Sequence, residues 1–254
     1  MMRSLWTAAS GMRAQQVNVD TIANNVANIN TIGYKSQQAS FKSLLYQNLQ
    51  STSTNNAGEN KPVAAEVGLG SRVAAITSTF TQGNLTHVEN PFSVALEGDG
   101  FFQIRTESGE LQYTRDGSFE ISPVANGNML CTSDGNPVLD AYGNQIILPS
   151  NRVATDLVVN QDGTLAFPDG TGNPAVITDA NGRPVKFGIY QFNNPAGLSK
   201  EGSNNYSVTV ASGAAVAENG NAAVKQTKTH QYYTEASNVD VANEMVNLIV
   251  AQRA

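Results

Sequence analysis

Along the first thirty residues, apolar positions recur at alternating steps of three and four: Leu5, Ala8, Met12, Gln15, Val19, Ile22, Val26 and Ile29. This spacing keeps one helix face apolar over several turns, as the a and d positions of a coiled-coil seam do. Gln15 is the one polar member, of the kind that sets register at some cost in stability. Asn24, Asn25, Asn28 and Asn30 crowd the end of the run and Gly33 follows it, so the helix is predicted to stop near Asn28 to Asn30. Periodicity alone leaves two uses for such a face: packing within its own domain, or packing between subunits.

Phe41, Leu44, Leu45 and Leu49 are spaced as one face of a short second helix. Residues Gln50 to Asn60 carry almost nothing apolar and read as a flexible linker. From Arg72 to Gln226 the period becomes two. Phe92, Val94 and Leu96 alternate with Ser93, Ala95 and Glu97 as in a half-buried strand, and Tyr206, Val208 and Val210 alternate with Ser207 and Thr209. Asp116-Gly117, Asp134-Gly135, Asp162-Gly163 and Asn181-Gly182 are hairpin dipeptides whose glycines supply positive φ. Such closely spaced turns predict an antiparallel, mostly local sheet domain. Helical spacing returns at Val241, Met245 and Leu248, with Ile249 widening the stripe, behind a capping box at Ser237-Asn238-Val239-Asp240.

The expected fold is therefore α+β and mainly β, with an antiparallel β-rich centre flanked by N- and C-terminal helices. The boundaries are an end helix over 1–30, a connecting segment with a short amphipathic stretch and a flexible insertion over 31–71, a β body over 72–226 and a C-terminal helix over 227–254.

Composition supports this and excludes several functions. The 28 Asn and 22 Gly favour turns over long helices. A net charge of −6, with 15 Lys and Arg scattered along the chain, offers no basic stripe for nucleic acid. No apolar run approaches the roughly 20 residues of a membrane span. The N-terminus is interrupted by Ser10, Gly11 and Arg13 and does not read as a signal peptide. Cys131 stands alone, so no intramolecular disulfide forms.

The search for chemistry finds no constellation. His87 and His230 have no ligand-spaced partners for zinc and read as structural residues. Gly98-Asp99-Gly100-Phe101-Phe102 lacks the further glycine and helix of a phosphate loop and reads as a turn between strands. No nucleophile elbow and no calcium loop is present. The chain is read as a non-enzyme without cofactor or metal. A β-rich glycan-binding or hydrolytic protein is the alternative from another class, and it lacks the polar groups such a site needs.

Ser4-Leu5-Trp6, Ala9-Ser10-Gly11-Met12 and Gln15-Gln16, followed by Asn24-Asn25-Val26-Ala27-Asn28 and Thr31-Ile32-Gly33-Tyr34-Lys35, closely resemble the N-terminal motif of the bacterial flagellar rod and hook protein family. Gly98 to Phe102 and Tyr113-Thr114-Arg115-Asp116-Gly117-Ser118-Phe119 are similar to its β domain. Glu235-Ala236-Ser237-Asn238-Val239-Asp240, Glu244-Met245-Val246 and Gln252-Arg253-Ala254 resemble its C-terminal motif. The likeness is to the distal rod branch, whose extra segment after the first helix would fall at Gln47 to Glu66; proximal rod and hook-type subunits share much of it.

The resemblance implies that the two end helices pair in a coiled-coil-like inner layer of a helical tube. Their seams would then be subunit interfaces: Leu5 through Ile29 on one side, Val241, Met245, Leu248 and Ile249 on the other. It also implies self-association, contact with other rod and hook subunits and with the surrounding ring bushing, export through the flagellar type III apparatus without a cleaved signal, and a place in the periplasm. The family pattern continues past Gln-Arg-Ala, so the C-terminal helix is read as cut short.

Overall fold

The computed structural model describes residues 2–50, 65–125, 127–150, 152–168, 174–179, 182–221 and 224–253. The chain divides into two compact units, each discontinuous in sequence: residues 1–27, 37–79 and 240–254 form one, and residues 28–36 and 80–239 form the other.

In the first unit, helix α1 spans Met2–Ala27 and helix α2 spans Val241–Arg253. Between them in the chain runs a long antiparallel ribbon. Strand Gln37–Ser43 pairs with Ser71–Ser78, with a bulge between Ser40 and Phe41, and Tyr46–Gln50 pairs with Ala65–Gly68. The helix expected from Phe41, Leu44, Leu45 and Leu49 is thus a pair of strands. Spacing over so few residues does not separate the two periods, and the Ser71–Ser78 strand, distant in sequence, supplies the ladder that decides. The linker expected at Gln50 to Asn60 lies, after Gln50, outside the described residues.

The second unit is built on a six-stranded antiparallel sheet. Its order is Ser199–Gly202, Asn205–Ser207, Leu111–Thr114, Phe101–Arg105, Ile189–Gln191 and Val216–Ala217. Consecutive side chains on a strand point to opposite faces, so Phe101 and Phe102 feed different cores. Phe102 packs edge-on to Phe119 and Phe187, with centroids at 5.0 and 5.4 Å, in a cluster with Leu130, Val138 and Leu165. Phe101 joins Tyr113, Phe192 and Tyr206 in the other. Each aromatic pair contributes about 0.5–1.5 kcal/mol beyond its burial. Two three-stranded sheets of the unit lie in the chain between Leu111–Thr114 and Ile189–Gln191, one around Gly127–Cys131 and one around Leu165–Pro168.

Its first and last strands close on each other: Val94–Glu97 pairs with Lys228–Gln231, and Leu85–His87 with Tyr233–Glu235. Residues 228–231 and 233–235 are therefore strands and not the start of the C-terminal helix. Val94–Glu97, expected to be half-buried, is covered on both faces: Ser93 and Ala95 are as buried as Val94 and Leu96. The alternation at Tyr206 to Val210 also carries less strand than expected, ending at Ser207. There Thr209 turns the chain, its Oγ accepting the Ala211 and Ser212 N–H groups.

Gly135, Gly163 and Gly182 have the positive φ expected of their dipeptides, and Gly117 does not. A side chain is excluded at Gly117 for another reason: a Cβ there would lie 1.8 Å from the Val94 carbonyl oxygen.

Tyr206 is buried among Phe80 and Phe101, and burial pushes its phenol up to about 12. An unfolded tyrosine loses its proton near 10. The folded chain thus holds one more proton between these values, and stability falls as pH rises through that window. Tyr206→Phe is expected to remove about 2–3 kcal/mol of this fall, read as the change in urea midpoint between about pH 9.5 and 12.

Candidate functional site

Among the described residues, much of the apolar face of α1 is exposed. Ala14, Thr21, Ile22 and Asn25 are buried in the first unit, where α1 meets the ribbon and α2. The predicted seam lies only partly on that face. Ile22 is buried and Val19 and Val26 are half-buried, whereas Leu5, Ala8, Met12 and Gln15 are exposed, Leu5 and Met12 at 67% and 68%. Ile29 is not on the helix, which ends at Ala27. Asn28 instead opens a turn whose carbonyl accepts the Thr31 N–H and whose side chain meets the Thr31 hydroxyl.

Asn25 explains why an amide sits near the helix end. Its Oδ1 accepts the Gln37 N–H and its Nδ2 donates to the Gln37 carbonyl, both at 2.8 Å, as a neighbouring strand would. The same Nδ2 reaches Glu244 on α2 at 3.2 Å. Asn24 and Ala27 lie on the exposed side of the helix. A close approach fixes the ribbon where its two strand pairs join: Gly70 has φ +115°, and a Cβ there would collide with Ser10 Oγ.

α2 starts one residue after Asp240, whose Oδ1 accepts the Ala242 N–H. The expected box gave the cap to a hydroxyl or amide; the Ser237 hydroxyl instead accepts the Val239 N–H, and the Asn238 amide oxygen accepts the Ser36 N–H. A cap must precede the first helical turn, and that turn begins at Val241. Val241, Met245 and Ile249 are exposed, as are Val246 and Val250, while Leu248 is half-buried and Ala251 buried. Ala8, Met12, Gln15, Phe41, Ala251 and Gln252 line an open groove of about 530 Å³ between the helices and the ribbon.

The ribbon adds apolar surface: Phe41, Leu45 and Leu49, which the spacing had assigned to a helix face, are exposed, as are Tyr46, Val67, Leu69 and Ile76. Among the described residues, the first unit holds fifteen exposed large apolar side chains and three buried hydrophobic ones, Ala14, Ile22 and Ala251. Single exposed apolar residues are ordinary, but this density marks a surface built to be covered.

The remaining motif residues belong to the second unit. Gly33 has φ +69° and its N–H donates to the Glu235 carbonyl. Tyr34 is buried; its carbonyl accepts the Asn238 N–H, and Asn238 Oδ1 accepts the Ser36 N–H. Lys35 is fully buried 2.6 Å from Glu235, and desolvation pulls its ammonium below the ordinary lysine range against the opposing carboxylate.

His230 Nε2 lies 2.7 Å from Glu97 across paired strands, and His87 packs against Tyr232 and Tyr233. Among the described residues, no group of three or more His, Cys, Asp or Glu is placed to hold a metal ion, and no helix is long and apolar enough to cross a membrane.

Three family models match the chain: flagella basal body rod protein over residues 5–35, the D1 domain of the flagellar hook protein FlgE/F/G over 95–167, and the C-terminal part of the flagellar basal body rod FlgEFG protein over 230–254. The flagellar basal-body rod protein FlgG of Borreliella burgdorferi is 41% identical over 260 residues, covering all of this chain and 91% of the relative. FlgG of Agrobacterium fabrum is 39% identical and that of Bacillus subtilis 34%, each over all of this chain and 91% of the relative. Likeness of this extent spans the helices, the ribbon and the β body alike, and the chain belongs to the flagellar basal-body rod protein family.

Proposed function

We propose that this chain is a structural subunit of the bacterial flagellar rod, of the distal type, that polymerises through α1 and α2 into a helical tube and transmits torque across the periplasm. The imbalance in the first unit carries this reading, since among its described residues fifteen large apolar side chains stand exposed against three hydrophobic ones buried. A unit with so little core gains most of its stability from neighbours. Contacts between such helical ends are heterologous and do not close, which generates a filament.

The seam residues Leu5, Ala8, Met12, Gln15, Val19, Val241, Met245 and Ile249 are the proposed subunit contacts, with neighbouring copies and other rod and hook subunits as partners. The ring bushing around the rod and the type III export apparatus are further proposed partners, with export needing no cleaved signal. No turnover is assigned to the chain. Gold labelling of purified basal bodies is expected to place the protein on the rod between the membranes. Label confined to the hook, or absent from the axial structure, would reject the proposal.

A further inference from the structure

The second unit closes by a strap. Its last strands, Lys228–Gln231 and Tyr233–Glu235, pair with its first, Val94–Glu97 and Leu85–His87. At the end of the strap, three ionisable side chains from distant parts of the sequence meet. Glu235 Oε1 is 2.6 Å from Lys35 Nζ and its Oε2 is 3.4 Å from Arg115 Nη1, and none of the three side chains is more than 1% exposed.

The rest of the cluster ties the groups to backbone. Oε1 also accepts the Gly83 N–H at 2.9 Å, Lys35 donates to the Thr81 carbonyl at 2.8 Å and Arg115 Nη2 to the Gly98 carbonyl at 2.7 Å. The Arg115 guanidinium lies 5.0 Å from the centre of the Phe101 ring, which keeps water away. One carboxylate therefore serves two buried cations. Without it, two like charges would face each other away from water, and they would solvate themselves by opening the structure.

Chain order adds a second consequence. Lys35 and Arg115 precede Glu235 by 200 and 120 residues. The apolar cluster around Phe102, Phe119 and Phe187 takes no side chain from Lys35 or from the strap, which meets it through hydrogen bonds of Gln231 to the Leu157 and Val159 backbone. Its apolar members all come from outside the strap.

We propose that Glu235 is a latch: its carboxylate lets Lys35 and Arg115 be buried together, and so closes the strap as a step separate from formation of the core. With the latch closed, Ser36 and Asn238 are hydrogen-bonded at 2.7 Å, and the two chain connections leave the unit side by side. Opening it frees the C-terminal connection while the core stays folded.

Hydrogen exchange of the full chain, read by mass spectrometry on peptides, tests this with Glu235→Gln and Lys35→Met. In Glu235→Gln, amides of 228–235 and 85–87 are expected to exchange at least about 100-fold faster, and those of 101–105 at the parent rate. Lys35→Met leaves Arg115 and Glu235 as a one-to-one pair, and its strap is expected to keep protection within about tenfold of the parent. Unchanged exchange in Glu235→Gln would overturn the latch. So would equal loss in strap and core, which makes Glu235 a general stabilising residue, or a Lys35→Met strap as open as that of Glu235→Gln.

Discussion

Gly117→Ala is expected to cost about 3–5 kcal/mol, above the roughly 1–3 kcal/mol typical of overpacking. The added methyl would lie 1.8 Å from the Val94 carbonyl oxygen and 2.8 Å from its carbon. The strand cannot give way cheaply. Val94 donates its N–H to the Gly117 carbonyl at 2.9 Å, and Val94 and Leu96 stand in the main core. A domain with about 5–15 kcal/mol in total would lose a large share of its stability. Gly135→Ala is the control: its φ is +84°, but no atom lies within 4 Å of a Cβ there, so only backbone strain of about 1 kcal/mol applies. Urea unfolding measures both. Equal midpoints for the two variants would show that the approach of Gly117 to Val94 is not tight.

The second large effect is on assembly. Leu5→Asp combined with Met12→Asp is expected to leave the isolated chain within about 0.5 kcal/mol of the parent, because both side chains are largely exposed. Each buried Leu or Met would stabilise a filament contact by roughly 1.5–3 kcal/mol, and an aspartate in its place adds a desolvation cost. The concentration needed for polymerisation should rise at least about a hundredfold. Sedimentation of assembled material and swimming of a complemented strain would read it. Gln16→Asp, one residue outside the seam, should leave both unchanged. Polymerisation of the double variant at the parent concentration would remove the seam from the interface.

Several features were legible because they depend on neighbours close in sequence. The α1 seam follows from steps of three and four, the end helix α2 from Val241 to Ile249, and the β body from short alternating runs between Asp-Gly turns. Family motifs at both ends and in the middle are local in the same sense, and they carried the functional reading. Local pattern failed where two periods fit the same few residues. Phe41, Leu44, Leu45 and Leu49 suit a helix face, yet the chain around them is ribbon, since the Ser71–Ser78 strand supplies hydrogen bonds that no nearby residue offers. The helix cap falls to Asp240 and not to the hydroxyl or amide before it for a related reason: Ser237 is held just past the end of strand Tyr233–Glu235.

The sequence by itself determined that a helix stands at each end of the chain and that β structure fills the middle. Only the tertiary structure decided which part of the seam is left open, that Asn25 is a pin between Gln37 and Glu244, and that Lys35, Arg115 and Glu235 share one buried site. Periodicity states that a face is apolar, because that is a property of neighbours along the chain. It does not state what covers the face, because burial is set by segments 100 or more residues away, whose approach no local spacing encodes.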